Sequence, residues 1–171
     1  MKVLGITGWS GVGKTTLIVS LIPQLWARGV TVSTLKHAHH DVDLDQPGKD
    51  TFRHRQAGAQ EVILATGRRW VLLHELRDEA EPSVSDLLHY LQPVDLVLVE
   101  GWKTGHYPKL EIWRPITEDK LPRFPTDPTV IAVACEPLLD SASYGRPSVP
   151  VLALADLDGI TDFILKFLRT T

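Results

Sequence analysis

Cysteine is nearly missing from this chain: Cys135 is the single one among 171 residues. No internal disulfide framework is available, so the class of small secreted domains stapled by several bridges is excluded. No apolar run reaches the roughly 18 residues that a membrane-spanning helix needs. The first residues lead straight into a strand signal, so no signal peptide is expected and the chain reads as cytoplasmic. Positive charge is not in excess either. Eighteen Lys and Arg against 21 Asp and Glu give a formal charge of −3, which offers no basic field for nucleic acid. A length of 171 residues suits one domain that buries a core unaided.

What is present begins at once. Gly8-Trp9-Ser10-Gly11-Val12-Gly13-Lys14-Thr15-Thr16 fits G-x-x-x-x-G-K-[ST] and lies between the apolar run Val3-Leu4-Gly5-Ile6 and a helical stretch from Thr15. This is the pattern and the context of a phosphate-binding P-loop. Gly8, Gly11 and Gly13 allow backbone conformations closed to most residues, so that successive N–H groups wrap a phosphate chain. The helix beginning near Lys14 points its positive end at the same place, Lys14 supplies a charge for the β and γ phosphates, and the Thr15 hydroxyl suits Mg²⁺. Residues Ser10 to Thr16 are the expected nucleotide-binding set.

The remainder reads as an α/β chain, a mostly parallel sheet flanked by helices with a β-hairpin excursion at about 61–76. Strands are expected at 2–7, 30–36, 94–101, 109–114, 129–134 and 149–154. The first helix spans 14–27 with Leu17, Leu21 and Leu25 on one face, and Pro23 predicts a kink or break near Leu21. Short helices are expected at 49–58, from Ser83 or Ser85 to Tyr90, and at 160–168. Two apolar runs around Thr66-Gly67-Arg68-Arg69 signal the hairpin, an edge open to pairing with another subunit. Between Pro115 and Pro128 the chain reads as a surface loop with no evident role.

Two stretches beside the P-loop carry candidate chemistry. Val94-Asp95-Leu96-Val97-Leu98-Val99-Glu100-Gly101 is a buried-strand run ending in an acid, which suits Glu100 for the magnesium side of the site. His37, His39, His40, Asp41, Asp43 and Asp45 crowd into nine residues after the second strand. Three readings stand: a transition-metal site, a switch-like loop in which Asp41 or Asp43 holds Mg²⁺ or positions the attacking water, and a plain solvated loop. Arg53, His54 and Arg55 follow on a helix, either an anion-holding patch or an ordinary polar face.

A purine base bound at this P-loop would lie over the loops after the last two strands. Glu136, Asp156 and Asp158 are candidates to accept from guanine N1 and N2, since a carboxylate matches two donors and adenine offers one. The N-K-x-D signature of many GTPases is absent. Cys135 is read as a buried apolar residue.

The P-loop, Lys36-His37-Ala38-His39-His40-Asp41, Pro47-Gly48-Lys49-Asp50-Thr51, Arg55 with Ala57-Gly58-Ala59, and Val99-Glu100-Gly101 occur in this order. In this the chain resembles the molybdopterin-guanine dinucleotide biosynthesis protein B family, MobB, over essentially its whole length. The resemblance implies a small dimeric P-loop GTPase that binds GTP with Mg²⁺ and hydrolyses it weakly. It also implies an accessory to the MobA-type guanylyltransferase that joins GMP to molybdopterin, with molybdopterin itself a possible ligand. Gly11, Gly13, Lys14, Thr15 and Thr16 take the phosphate roles, Glu100 the Walker B role, and the hairpin around Gly67 resembles the family's dimerising region. Two other functions fit the same residues. One is an ATP-dependent small-molecule kinase or ligase with Arg53, Arg55 and Arg114 clamping an acceptor. The other is a nickel- or zinc-delivery GTPase using His37, His39 and His40.

Overall fold

The computed structural model of the protein describes residues 1–38, 42–102, 105–115, 120–146 and 148–170. In chain order the elements are β1 (Lys2–Thr7), α1 (Lys14–Ala27), β2 (Val32–Lys36), α2 (Asp50–Gln56), β3 (Glu61–Ala65), β4 (Trp70–His74), α3 (Val84–Leu88), β5 (Leu96–Glu100), β6 (Lys109–Trp113), β7 (Val130–Cys135), a 3₁₀ turn (Ser141–Tyr144), β8 (Val151–Ala153) and α4 (Leu157–Arg169). They group into two compact units, one of Met1–His37 with Leu88–Thr171, the other Ala38–Leu87.

The first unit is built on six parallel strands in the order β2-β5-β1-β6-β7-β8. This is the expected α/β architecture. Alternate residues of each strand turn to opposite faces. Leu4, Ile6, Leu96, Leu98, Leu110, Ile112, Ala132 and Ala134 therefore share one face, where they meet Leu17, Leu21 and Leu25 of α1 and Ile160 and Ile164 of α4. Val133 and Cys135 turn the other way and pack with Phe124, Val130 and Val149. Central β5 is buried at every position from Leu96 to Glu100, the condition its unbroken apolar run requires.

The break expected near Leu21 does not occur. Helix α1 continues through Pro23 to Ala27 with Leu21 and Leu25 wholly buried. A proline inside a helix costs about 3 kcal/mol, and two fully buried leucines contribute about as much or more, so packing decides. Strand β2 begins two residues later than expected, because the Val30 amide returns to the Leu25 carbonyl and completes the exit turn of α1. Helix α4 begins earlier, at Leu157, because Asp156 caps it by accepting from the Gly159 amide at 2.9 Å.

The second unit holds the antiparallel β3–β4 hairpin, paired from Glu61↔His74 to Ala65↔Trp70, with α2 and most of α3. Helix α2 has no buried residue. Its Arg55 is instead the hub of an ionic cluster, donating Nη2 to Asp43 at 2.8 Å, Nε to Asp45 at 3.1 Å and Nη1 to Glu75 at 2.6 Å. One guanidinium with all its arms engaged ties three chain segments where apolar burial is scarce. His74 pins the hairpin similarly, through Glu61 on Nδ1 and Glu79 on Nε2.

Candidate functional site

The loop from Gly8 to Gly13 leaves β1 and enters α1. Gly8, Gly11 and Gly13 have φ of +139°, +83° and +101°. A Cβ on Gly8 would overlap the Ile112 carbonyl oxygen, so the loop's opening lies flat on β6 as only glycine permits. Val12 is wholly buried and anchors the loop, while Ser10, Gly11, Thr15 and Thr16 are exposed. Gly13 provides no side-chain cap for α1, and no acid sits in its first turn. An anion here would meet backbone N–H groups and a positive helix end with no acid from the helix's own first turn competing. Lys14 Nζ donates to the carbonyls of Gly8 at 3.1 Å and Trp9 at 2.8 Å, which holds its charge over the loop.

Parallel pairing places Ile6 beside Glu100 and Lys36 beside Glu100, bringing the ends of β1, β2 and β5 together. The Thr15 hydroxyl donates to Glu100 Oε1 at 2.9 Å, and Lys36 Nζ stands 3.9 Å from Oε2. A hydroxyl and a largely buried carboxylate side by side are hard oxygen donors of the kind Mg²⁺ takes. Thr15 and Glu100 thus fit the ion by chemistry and place. Gly101, at φ +100°, is required next to them: a Cβ there would stand 2.6 Å from the His37 carbonyl oxygen. His37 is further fixed by its amide to the Glu100 carbonyl at 2.8 Å and by its ring 5.1 Å from that of Trp102.

Other expected site residues have protein partners. Asp43 accepts from the Asp45 amide at 2.9 Å and from Arg55 at 2.8 Å, and these bonds hold its carboxyl below the usual carboxylate range. It belongs to the second unit's ionic cluster. Asp41, His39 and His40 lie outside the described residues, as does Lys103. Glu136 pairs with Arg114 at 3.1 Å, Asp156 serves as the α4 cap, and Asp158 meets Arg28 at 3.3 Å. Arg55 and Arg114, proposed clamps for a kinase acceptor, are both engaged by carboxylates. Among the described residues no three His, Cys, Asp or Glu side chains gather as a metal site.

Four features of the surrounding structure were not anticipated. Glu111, in the middle of β6, is completely buried and accepts from the backbone amides of Arg123 at 2.7 Å and Phe124 at 2.8 Å. Burial pushes its carboxyl above the ordinary range, against the pull of those two amides. Lys109, also buried on β6, meets Asp127 at 3.1 Å, and Arg146 donates to the carbonyls of Phe124 at 2.6 Å and Asp127 at 3.0 Å. Trp9 of the loop reaches the same segment, its indole N–H donating to the Leu121 carbonyl at 2.9 Å. The acid in Lys109-Leu110-Glu111-Ile112-Trp113 was the available signal, since a carboxylate amid a buried strand needs donors.

A family model described as molybdopterin guanine dinucleotide synthesis protein B matches residues 3–136. The chain is 37% identical over 171 residues to a molybdopterin-guanine dinucleotide biosynthesis adapter protein of Escherichia coli K12, covering 99% of this chain and 94% of that protein. It is 43% identical over 139 residues to a protein of the same description from Haemophilus influenzae, covering 78% and 74%. The crystal structure of Bacillus subtilis MobB superposes over the full length of both chains with a TM-score of 0.76 at 22% identity, a likeness of fold.

Proposed function

This chain belongs to the molybdopterin guanine dinucleotide synthesis protein B family, MobB, and from that premise we propose that it is a GTP-binding adapter in the formation of the guanine dinucleotide molybdenum cofactor. The observation that carries the nucleotide half is the Lys14–Thr15–Glu100 arrangement. A lysine is tethered over an uncapped helix end, with a hydroxyl 2.9 Å from a strand-end carboxylate. Residues Ser10 to Thr16 cradle the phosphates, and Lys14 balances the β and γ charges. Thr15 and Glu100 hold Mg²⁺, which when bound offsets charge on the phosphate oxygens. Lys36 Nζ, 3.9 Å from Glu100, adds a positive charge beside that carboxylate.

The adapter half rests on the family, whose curated members carry that word in their names. Slow hydrolysis suits an adapter, whose role is to bind rather than to turn over. The partner is a guanylyltransferase of the MobA type, with molybdopterin as its other substrate. The guanine preference also rests on the family, since Glu136 and Asp156 already hold other groups. The β3–β4 hairpin supports a homodimer: it is a lone two-stranded sheet exposing Ile63, Leu64, Trp70 and Val71.

The deciding experiment is a competition titration of GTP against ATP with Mg²⁺, on the wild type and on Lys14→Ala. Selective GTP binding that the variant loses is the expected result. Equal or better ATP binding removes the guanine assignment and favours an ATP-dependent kinase or ligase.

A further inference from the structure

The P-loop is a run of glycines and small residues, and the side chain that ties its opening half to the rest of the unit is Trp9. Its indole N–H is bonded to the Leu121 carbonyl at 2.9 Å. Two cations lie against its ring: Lys120 Nζ and the Arg123 guanidinium carbon are each 4.4 Å from the ring centroid. At that distance a cation is attracted by the aromatic face, more strongly when partly desolvated. Arg123 Nε is buried and makes no hydrogen bond among the described residues, and stacking on Trp9 is a contact that helps place this guanidinium.

The cations are themselves anchored. Glu111 takes the Arg123 and Phe124 amides, and Trp113 Nε1 donates to the Lys120 carbonyl at 2.9 Å. A chain of contacts therefore runs from buried Glu111 through segment 120–124 to Trp9, and from the Trp9 carbonyl to Lys14 Nζ at 2.8 Å. We propose that Arg123 and Lys120 are positioning residues for the phosphate loop: by clamping Trp9 they hold the loop and Lys14 in the binding conformation before a nucleoside triphosphate arrives. A loop already fixed in its bound form loses less conformational entropy on binding, and affinity rises accordingly. The inference builds on the nucleotide reading above and adds residues outside the P-loop motif to it.

The test compares wild type, Arg123→Met, Arg123→Lys and Lys14→Ala by GTP titration with Mg²⁺, and by amide hydrogen exchange of the nucleotide-free proteins. Methionine keeps the unbranched apolar stem, to about the level of Nε, without the charge, and lysine restores a charge at the ring. Arg123→Met is expected to weaken GTP binding about fivefold, with Arg123→Lys within about twofold of wild type. In exchange, Arg123→Met speeds residues 8–14 and 120–124 alone. Unchanged affinity and exchange in Arg123→Met, or a lysine variant as impaired as the methionine one, overturns the proposal. So does faster exchange spread over the whole sheet, the mark of a merely structural residue. If wild type binds no GTP, the nucleotide reading falls, and the exchange comparison still decides whether the clamp fixes the loop.

Discussion

Replacing Glu111 with leucine should lower stability although it removes a buried charge. Glu111 is completely buried and accepts two backbone amides, at 2.7 and 2.8 Å. Each hydrogen bond to a charged acceptor is worth about 1.5–3 kcal/mol, so about 3–6 kcal/mol of bonding is lost and two amides are stranded. Against this, the substitution relieves the burial of an ion, which costs several kcal/mol. The net expectation is about 2 kcal/mol at neutral pH, or a melting temperature lower by about 6 °C in a chain of this size. The pH dependence follows from the sign of the shift. Burial raises the folded-state value above the ordinary 4.5, so the group's contribution is full below 4.5 and declines as pH rises through the raised value. Glu111→Leu lacks that decline, and the gap between the two proteins should be widest in acid and narrow towards neutrality. Thermal unfolding between pH 4 and 8 measures both. A variant as stable as wild type, or more stable, would refute the reasoning.

The other expectations concern Gly101, His74 and Arg55. Gly101→Ala puts a Cβ 2.6 Å from the His37 carbonyl at a φ of +100° and should cost about 2 kcal/mol or more, read from the urea midpoint. His74, between Glu61 and Glu79, is held above its ordinary 6.5, chiefly by the Glu61 bond. Its contribution is therefore full below 6.5 and lost as pH rises through the raised value; an NMR titration of His74 with a midpoint at or below 6.5 contradicts this. Asp43 and Asp45 are held below 3.8, so their support is present above 3.8 and lost as pH falls through the lowered values. Arg55→Lys, which lacks the three-armed fork, should speed hydrogen exchange in residues 43–75; exchange there equal to wild type would remove Arg55 as the unit's hub.

The P-loop was legible because the chemistry is written in contiguous residues. Glycines, a lysine and a threonine at fixed spacing between a strand and a helix leave little for tertiary structure to add. The parallel sheet was legible for a related reason: strands buried on both faces show as unbroken apolar runs, as at Leu96–Glu100. That Glu100 would lie near Thr15 was legible because the end of a strand beside β1 is fixed by topology, and the structure puts its carboxylate 2.9 Å from Thr15 Oγ1.

Other features depended on partners distant in sequence. Pro23 looked like a helix breaker until Leu21 and Leu25 were seen buried on either side of it. Asp43 reads in sequence as an acid for Mg²⁺ or the attacking water, and its bond to Arg55, twelve residues on, shows only in the fold. Asp156 reads as a candidate base contact, and its capping of α4 is set by the turn geometry at Gly159. The segment after β6 offered only prolines and charges. Its place against the loop at Gly8–Gly13 was decided by Glu111, Arg123 and Trp9, the last more than a hundred positions before the other two, and only the folded sheet brings them within hydrogen-bonding and stacking distance.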